Sequence, residues 1–217
     1  MAGGLFITFE GTEGSGKTTQ ISLLAGRLRA LGRSVLTTRE PGGTPIGEEI
    51  RHTLKHSIAN QAMTAEAELL LMNASRAQLV HEVIRPALAT GQIVLADRYY
   101  DSTIAYQGYG RGLDLERVKV ITDLAVGDTW PDLTLLLVVP HEVSRERLRA
   151  RQSTLPFMRD RIEEADRDFF ERVAQGYQAI AAAEPRRVRL VDANTGVEQT
   201  QASIWKVVEP LLPRQLT

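Results

Sequence analysis

The sequence predicts an α/β fold in which a doubly wound, five-stranded parallel sheet carries helices on both faces. Short apolar segments alternate five times along the chain with longer segments of helical periodicity. The apolar segments are mostly continuous runs rather than alternations of apolar and polar residues, which is typical of parallel strands buried on both sides. With 217 residues, of which 43% are hydrophobic and 24% charged, the chain has the size and composition of one such domain.

The first predicted strand is Leu5–Phe9, and a glycine-rich segment separates it from a helix at Thr18–Leu31 with apolar residues on one side. The other predicted strands are Ser34–Thr38, Ile93–Ala96, Leu133–Val139 and Val188–Val191. The other predicted helices are Ile46–Leu54, Ala65–Leu88, one or two within Ser102–Val126, then Val143–Arg151, Ile162–Ala183 and Gln199–Leu212.

One segment, Arg145–Asp168, departs from this composition, because it is dense in charge and especially in arginine. We interpret it as a small mobile lid, inserted at about 145–168 into a single domain that covers residues 1–217. No internal repeat or low-complexity tract is visible.

Composition excludes several classes of function. The net charge is −1, so no overall positive field would attract a nucleic-acid polymer or a membrane surface. Cysteine is absent, which excludes disulfides, thiolate nucleophiles and zinc–thiolate sites. The N-terminus has no signal-peptide pattern, and no apolar run approaches the ~20 residues of a membrane span. We therefore expect a cytoplasmic protein with small-molecule ligands.

The glycine-rich segment Gly11–Thr18 matches the Walker A pattern, and it lies between a predicted strand and a predicted helix as that pattern requires. Backbone N–H groups of such a loop and the dipole of the following helix bind phosphates. Lys17 is expected to reach the β- and γ-phosphates, and the Thr18 hydroxyl to bind Mg²⁺. The predicted ATP site comprises Gly11, Thr12, Glu13, Gly14, Ser15, Gly16, Lys17, Thr18 and Thr19.

A phosphate loop alone does not distinguish a GTPase, an ATPase motor, a kinase and a non-catalytic nucleotide-binding regulator. The Asn-Lys-x-Asp motif that reads guanine in GTPases is absent from the sequence, and a motor would normally need a longer chain. The acceptor of the phosphoryl group must therefore be identified from other segments.

Three further segments resemble the thymidylate kinase family. They are Arg39–Thr44, Ser75–Gln78, and Asp97–Tyr99 with the following Ser102-Thr103 and Ala105–Gly108. The third is the most specific, because it matches the family signature. The resemblance implies the P-loop NTPase fold, ATP and Mg²⁺, transfer to thymidine monophosphate (dTMP), and a homodimer. Another nucleoside monophosphate or deoxynucleoside kinase remains the alternative.

By this resemblance Arg98 holds the acceptor phosphate. Its position after the third predicted strand is suitable, since ligands of open α/β sheets bind at the carboxyl ends of strands, and a guanidinium suits a phosphate. Asp97 would assist Thr18 in binding Mg²⁺. At position 72 methionine replaces the phenylalanine that commonly stacks on thymine in the family. The implied dTMP site comprises Glu13, Glu40, Arg51, Met72, Arg76, Arg98, Thr103, Tyr106 and Gln107.

The lid arginines indicate a subtype of the family. Some members carry a catalytic arginine inside the phosphate loop, but Glu13, Gly14 and Ser15 fill the middle of this one. The other subtype, typical of many bacteria, carries arginines in the lid, where they stabilise the charge of the migrating phosphoryl group. Lys17 and Arg98, with the lid candidates Arg149, Arg151 and Arg161, are therefore the predicted catalytic residues.

Overall fold

A computed structural model describes residues 4–154, 161–162 and 165–212, with side chains placed for residues 4–150 within the first range. The strands are β1 Leu5–Glu10, β2 Val35–Arg39, β3 Ile93–Asp97, β4 Leu133–Val138 and β5 Val188–Asp192. The α-helices are α1 Lys17–Ala30, α2 Pro45–Lys55, α3 Ala65–Leu79, α4 Arg85–Ala89, α5 Tyr100–Thr103, α6 Leu115–Val126, α7 His141–Thr154, α8 Arg167–Ala183 and α9 Val197–Val208.

The five strands form one parallel sheet in the order β2-β3-β1-β4-β5. The predicted α/β class, strand number and strand direction are therefore confirmed. Central strands β1 and β4 are almost wholly buried, as their continuous apolar sequences indicated. The edge strands β2 and β5 are partly exposed and more polar.

Helices cover both faces of the sheet. Side chains of α1 and α9, among them Leu24 and Trp205, pack with Ile7 and Phe9 on one face. On the other face Leu79 packs with a cluster that contains Phe6 and Val94, and a neighbouring cluster joins α8 to β4. No helix among the described residues is long and apolar enough to cross a membrane.

The long helix predicted at Ala65–Leu88 is present but interrupted. A π-helical turn at Val80–Ile84 separates α3 from α4, and the Arg85 N–H bonds to the carbonyl of Val80. Pro86 explains the interruption, because it has no N–H to donate and its ring would clash with the carbonyl four residues earlier. A second π-helical turn, Ile104–Gly110, continues α5.

Two predicted helix boundaries were wrong. The helix expected from Ile162 begins at Arg167, because the Asp166 side chain accepts a hydrogen bond from the Phe169 N–H and caps it there. The last helix ends at Val208 rather than Leu212, and a 3₁₀ turn containing Pro210 follows. A short 3₁₀ helix at Ile58–Ala62 was not predicted.

The carboxyl ends of three neighbouring strands converge. Arg39 at the end of β2 pairs with Asp97 at the end of β3, and Asp97 pairs with Phe9 near the end of β1. The residues that follow these strands therefore lie side by side at one edge of the sheet, where open α/β sheets bind their ligands.

Candidate active site

The phosphate loop joins β1 to α1 in a conformation that depends on its glycines. Gly14 has φ 74°, and a Cβ there would lie 2.6 Å from the carbonyl oxygen of Ser144 at the start of α7. Gly16 has φ 92° and forms the N-cap of α1. A side chain at either position would strain the loop, so these glycines serve its backbone geometry.

Lys17 lies buried at the centre of this loop. Its ammonium donates hydrogen bonds to the carbonyls of Gly11 (3.1 Å) and Thr12 (3.0 Å). Burial, and then repulsion from Arg98, lower its pKa from the ordinary lysine value. The ammonium is thus held by the carbonyls of the loop that is expected to enclose phosphate oxygens.

The two predicted metal ligands are in direct contact. The Thr18 hydroxyl donates a hydrogen bond of 2.8 Å to Asp97 Oδ2; Thr18 is exposed and Asp97 is partly exposed. Oxygen donors of this kind suit Mg²⁺, which keeps most of its water ligands and needs few protein groups. Among the described residues there is no cluster of three or more acidic, histidine or cysteine side chains that would hold a metal by itself.

Arg98 lies directly after β3 and has a left-handed backbone, with φ 73°. This conformation is costly for a residue with a side chain, so surrounding contacts must hold it. Its Nη2 donates to Glu13 Oε1 (2.9 Å) and the Tyr106 hydroxyl (3.1 Å). Burial alone would raise the pKa of Glu13, but Arg98, Lys17 and Lys55 lower it well below its usual value. Glu13 is therefore ionised.

A buried carboxylate supports Arg98 indirectly, through two hydroxyl groups that bond to both. Glu10, the last residue of β1, accepts hydrogen bonds from the Tyr99 N–H and from the hydroxyls of Ser102 and Tyr177. The same two hydroxyls accept from Arg98 Nη1. Burial and repulsion from Asp101 raise the pKa of Glu10 to about 7. The support of Arg98 thus includes a group that titrates near neutral pH.

Arg76 is almost completely buried, with 1% of its surface exposed. Nε and Nη2 donate to Glu40 Oε2 (2.9 and 2.7 Å), Nη1 donates to Asn73, and Nη2 also reaches the Thr103 hydroxyl (2.8 Å). Glu40 Oε1 is buried and has no hydrogen-bond partner among the described residues, and burial raises the pKa of Glu40. A buried oxygen without a partner beside an open pocket is available to a ligand donor.

An open pocket lies between the phosphate loop, α3 and the turn after β3. Its lining contains eight of the nine residues of the implied acceptor site, namely Glu13, Glu40, Met72, Arg76, Arg98, Thr103, Tyr106 and Gln107. Arg51 does not line the pocket; its Nη1 donates to the carbonyl of Pro41 at 2.9 Å.

The two lid candidates whose side chains are described, Arg149 and Arg161, have no described contact with the phosphate loop. Arg149 is exposed on α7, and the side chain of Arg151 lies outside the described residues. Arg161 lies beside the acceptor pocket, where it contacts the buried carboxylate of Glu68 and the carbonyl of Met63 rather than the phosphate loop. Residues 155–160 and 163–164 of the predicted lid are also outside the described residues. The choice among these arginines stays a prediction.

Helix α7 contacts the phosphate loop through two residues that we did not predict. The Ser144 hydroxyl donates to the carbonyl of Glu13, and Arg147 donates to the carbonyls of Gly14 (3.4 Å) and Ala193 (3.1 Å). Arg147 belongs to the arginine-rich segment, and nothing in the sequence distinguishes it from its neighbours.

One further pocket residue, and two residues that support Arg98, were missed. Lys55, at the end of α2, lines the pocket and lowers the pKa of Glu13. Glu10 carried a signal, since it is the one charged residue of a fully buried strand that is mostly apolar. Tyr177 carried none, because a tyrosine on an amphipathic helix usually belongs to the core.

Comparison with known proteins identifies the family. The model of the family described as thymidylate kinase matches residues 9–204. A thymidylate kinase of Synechococcus sp. is 50% identical over 209 residues, with 96% of each chain covered. One from Pseudomonas syringae pv. tomato is 49% identical over 212 residues, with 98% of each covered. The crystal structure of thymidylate kinase from Ehrlichia chaffeensis superposes with a TM-score of 0.76 at 35% identity, covering 96% of this chain and 99% of that one. The chain therefore belongs to the thymidylate kinase family.

Proposed function

We propose that this chain transfers the γ-phosphoryl group of ATP to the 5′-phosphate of dTMP, giving ADP and dTDP. The observation that carries the proposal is the acceptor pocket. Arg98 lies in it against Glu13 of the phosphate loop, and Arg76 and Gln107 are among its other lining residues. A nucleoside monophosphate would fit this pocket, because it has a phosphate for Arg98 and a base for Arg76 and Gln107. The similarity to thymidylate kinases favours dTMP over the monophosphates of other nucleosides.

The reaction is an in-line displacement. A phosphate oxygen of dTMP forms a bond to the γ-phosphorus, and the bond between that phosphorus and the β,γ-bridging oxygen breaks, so that ADP leaves with the electron pair. The attacking oxygen is already anionic and needs no general base. Catalysis therefore depends on positioning and on stabilising the charge of the migrating group.

On the donor side, the loop N–H groups of Gly11–Thr19 would bind the ATP phosphates, with Lys17 exchanging its carbonyl partners for phosphate oxygens. Thr18 and Asp97 would hold Mg²⁺, partly through water. When bound, the metal neutralises charge on the β- and γ-phosphates.

On the acceptor side, Arg98 would bind the 5′-phosphate. Glu13 already aligns its guanidinium through the 2.9 Å ion pair. We assign the base to Arg76, Thr103 and Gln107, with Met72 as an apolar contact, and the sugar to Tyr106 and Glu40. Arg51 would act through the carbonyl of Pro41 rather than by direct contact.

We further propose that residues 145–168 form a lid of a single domain, 1–217, and that Arg149, Arg151 or Arg161 stabilises the transferring group. A cytoplasmic homodimer completes the proposal. The dimer is supported by exposed apolar side chains on neighbouring helices, Leu70 on α3 and Val120 and Leu124 on α6. Light scattering of the purified chain would measure its mass directly.

A steady-state panel tests the function. The nucleoside monophosphates and thymidine are supplied one at a time with ATP and Mg²⁺, and product formation is followed by chromatography. We expect dTMP to have the highest kcat/KM. A higher value for another monophosphate or for thymidine would identify a different kinase, and ATP binding without turnover of any acceptor would indicate a regulator.

A further inference from the structure

Glu68, in the first turn of α3, is a fully buried carboxylate that the reaction above does not use. Four N–H donors converge on its two oxygens. Gln107 Nε2 (2.7 Å) and Arg111 Nε (3.2 Å) bond to Oε1, while Arg111 Nη2 (3.0 Å) and Arg161 Nη1 bond to Oε2. Only one of these three partners, Gln107, also lines the acceptor pocket.

The two arginines keep this carboxylate ionised. Burial would raise the pKa of Glu68, but the hydrogen bonds and charge of Arg111, with the bonds from Arg161 and Gln107, lower it below the ordinary value. An ionised carboxylate can only accept hydrogen bonds. The amide group of Gln107 must therefore turn its Nε2 towards Glu68, because the opposite orientation would put two acceptors in contact.

This orientation determines what Gln107 offers to a ligand. With Nε2 committed to Glu68, the carbonyl Oε1 remains, and no described residue donates a hydrogen bond to it. On Arg76, Nη1 has one described acceptor, Asn73, although it carries two hydrogens. The pocket thus combines an acceptor from Gln107 with a donor from Arg76.

A pyrimidine base can match or oppose this pair. Thymine and uracil present the N3–H as a donor and O4 as an acceptor, so both groups are complementary. Cytosine presents N3 as an acceptor and its amino group as a donor, so both contacts become unfavourable. Sites that commit buried polar groups in this way reject the wrong partner strongly, because those groups are left unpaired.

We propose that Glu68 is a positioning residue that makes the pocket selective for an imide base edge over a cytosine edge, by fixing the orientation of the Gln107 amide. This inference rests on the proposed function, because it assumes that the base contacts Gln107.

Two acceptors that differ only at this edge provide the test: dTMP and the 5′-monophosphate of 5-methyl-2′-deoxycytidine. The preference is the ratio of their kcat/KM values. We expect the parent protein to prefer dTMP by about 10²-fold or more. In Glu68→Gln the residue at 68 can donate or accept, so the Gln107 amide can flip, and the preference should fall by about tenfold or more.

Arg111→Gln is the matched control. It weakens the ion pairs of the same buried cluster but leaves an acceptor-only carboxylate against Gln107. We expect it to lose stability in a thermal melt and to keep the dTMP preference within about threefold of the parent. Glu68→Asp, which also retains a carboxylate, should restore much of the preference lost in Glu68→Gln.

The outcomes separate the two proposals. If the parent does not phosphorylate dTMP, the proposed function fails. If the parent prefers dTMP but Glu68→Gln lowers both kcat/KM values equally, Glu68 is only structural and the inference is overturned.

A second variant applies if Glu68→Gln does not fold. The exchange variant, Glu68→Gln combined with Gln107→Glu, then takes its place. Its amide at position 68 can donate to the carboxylate at position 107, and that carboxylate still presents an acceptor to the base. A dTMP preference more than tenfold below the parent in the exchange variant would also overturn the inference.

Discussion

Replacing Arg98 with alanine should disable the acceptor side of the site and leave the ATP side nearly intact. The guanidinium is held by Glu13, Ser102, Tyr106 and Tyr177 at 2.9–3.1 Å, and it lines the acceptor pocket beside the phosphate loop.

The magnitude follows from the hydrogen bonds. A phosphate bound by two N–H groups of a guanidinium gains about 1.5–3 kcal/mol from each charge-assisted bond. The arginine gives up hydroxyl partners in exchange, so we expect roughly half of the total, about 2 kcal/mol. That corresponds to a loss of about 30-fold in kcat/KM for dTMP, with the KM for ATP changed by less than about threefold.

The left-handed backbone at Arg98 supplies a control. Alanine at φ 73° carries a conformational cost of about 1–2 kcal/mol that glycine does not. Arg98→Gly should therefore resist urea unfolding better than Arg98→Ala and be equally poor with dTMP. The reasoning fails if Arg98→Ala keeps its kcat/KM for dTMP within about threefold of the parent, or if the glycine variant recovers activity.

The same geometry makes three further predictions. Lys17→Ala should lower turnover by at least about 10²-fold with an unchanged circular dichroism spectrum, and substantial retained activity would remove the loop assignment. Burial raises the pKa of Glu10 to about 7 in the folded protein, whereas the unfolded chain releases this proton near pH 4.5. Protonated Glu10 therefore contributes to the stability of the folded protein in full below pH 4.5, and this contribution is lost as the pH rises to about 7. Glutamine at position 10 does not titrate, so Glu10→Gln does not lose this contribution. Between pH 5 and 8, the unfolding free energy of the variant minus that of the parent should rise by on the order of 2 kcal/mol. If this difference does not change with pH, the assigned pKa is wrong. Among the single alanine variants of Arg149, Arg151 and Arg161, the one that removes the contact with the migrating group should lower the turnover number by about 10³-fold. If all three stay within about threefold of the parent, Arg147 and Arg159 are tested next. Arg147 already contacts the phosphate loop, and Arg159 lies outside the described residues.

Much of the fold follows from local sequence. Nearly continuous apolar runs identified the central strands β1, β3 and β4, because a strand covered on both faces has few polar positions. The edge strands β2 and β5 are more polar, and they were recognised as short segments that alternate with helices. The phosphate loop was also predictable, since its glycines serve local backbone geometry. The helix start at Arg167 was missed because Asp166 had to be chosen among several acidic residues as the cap.

The site was only partly predictable for a different reason. Residues named through the family signature line the pocket, but their supporting contacts join distant parts of the chain. Glu10 and Tyr177 are 167 residues apart, and Glu68 and Arg161 are 93 apart. Glu68 beside Glu66 looks like an ordinary acidic first turn, a favourable arrangement for any helix. Only the folded structure shows that Glu68 is buried and that three side chains from other parts of the chain bond to it.

The fate of the γ-phosphoryl group tests the central claim most directly. The purified chain is mixed with γ-³²P-labelled ATP, Mg²⁺ and dTMP, and the products are separated. The account predicts that the label appears in dTDP in equal amount to the ADP formed, and that little ATP is consumed when dTMP is omitted. Release of the label as inorganic phosphate without labelled dTDP would contradict it.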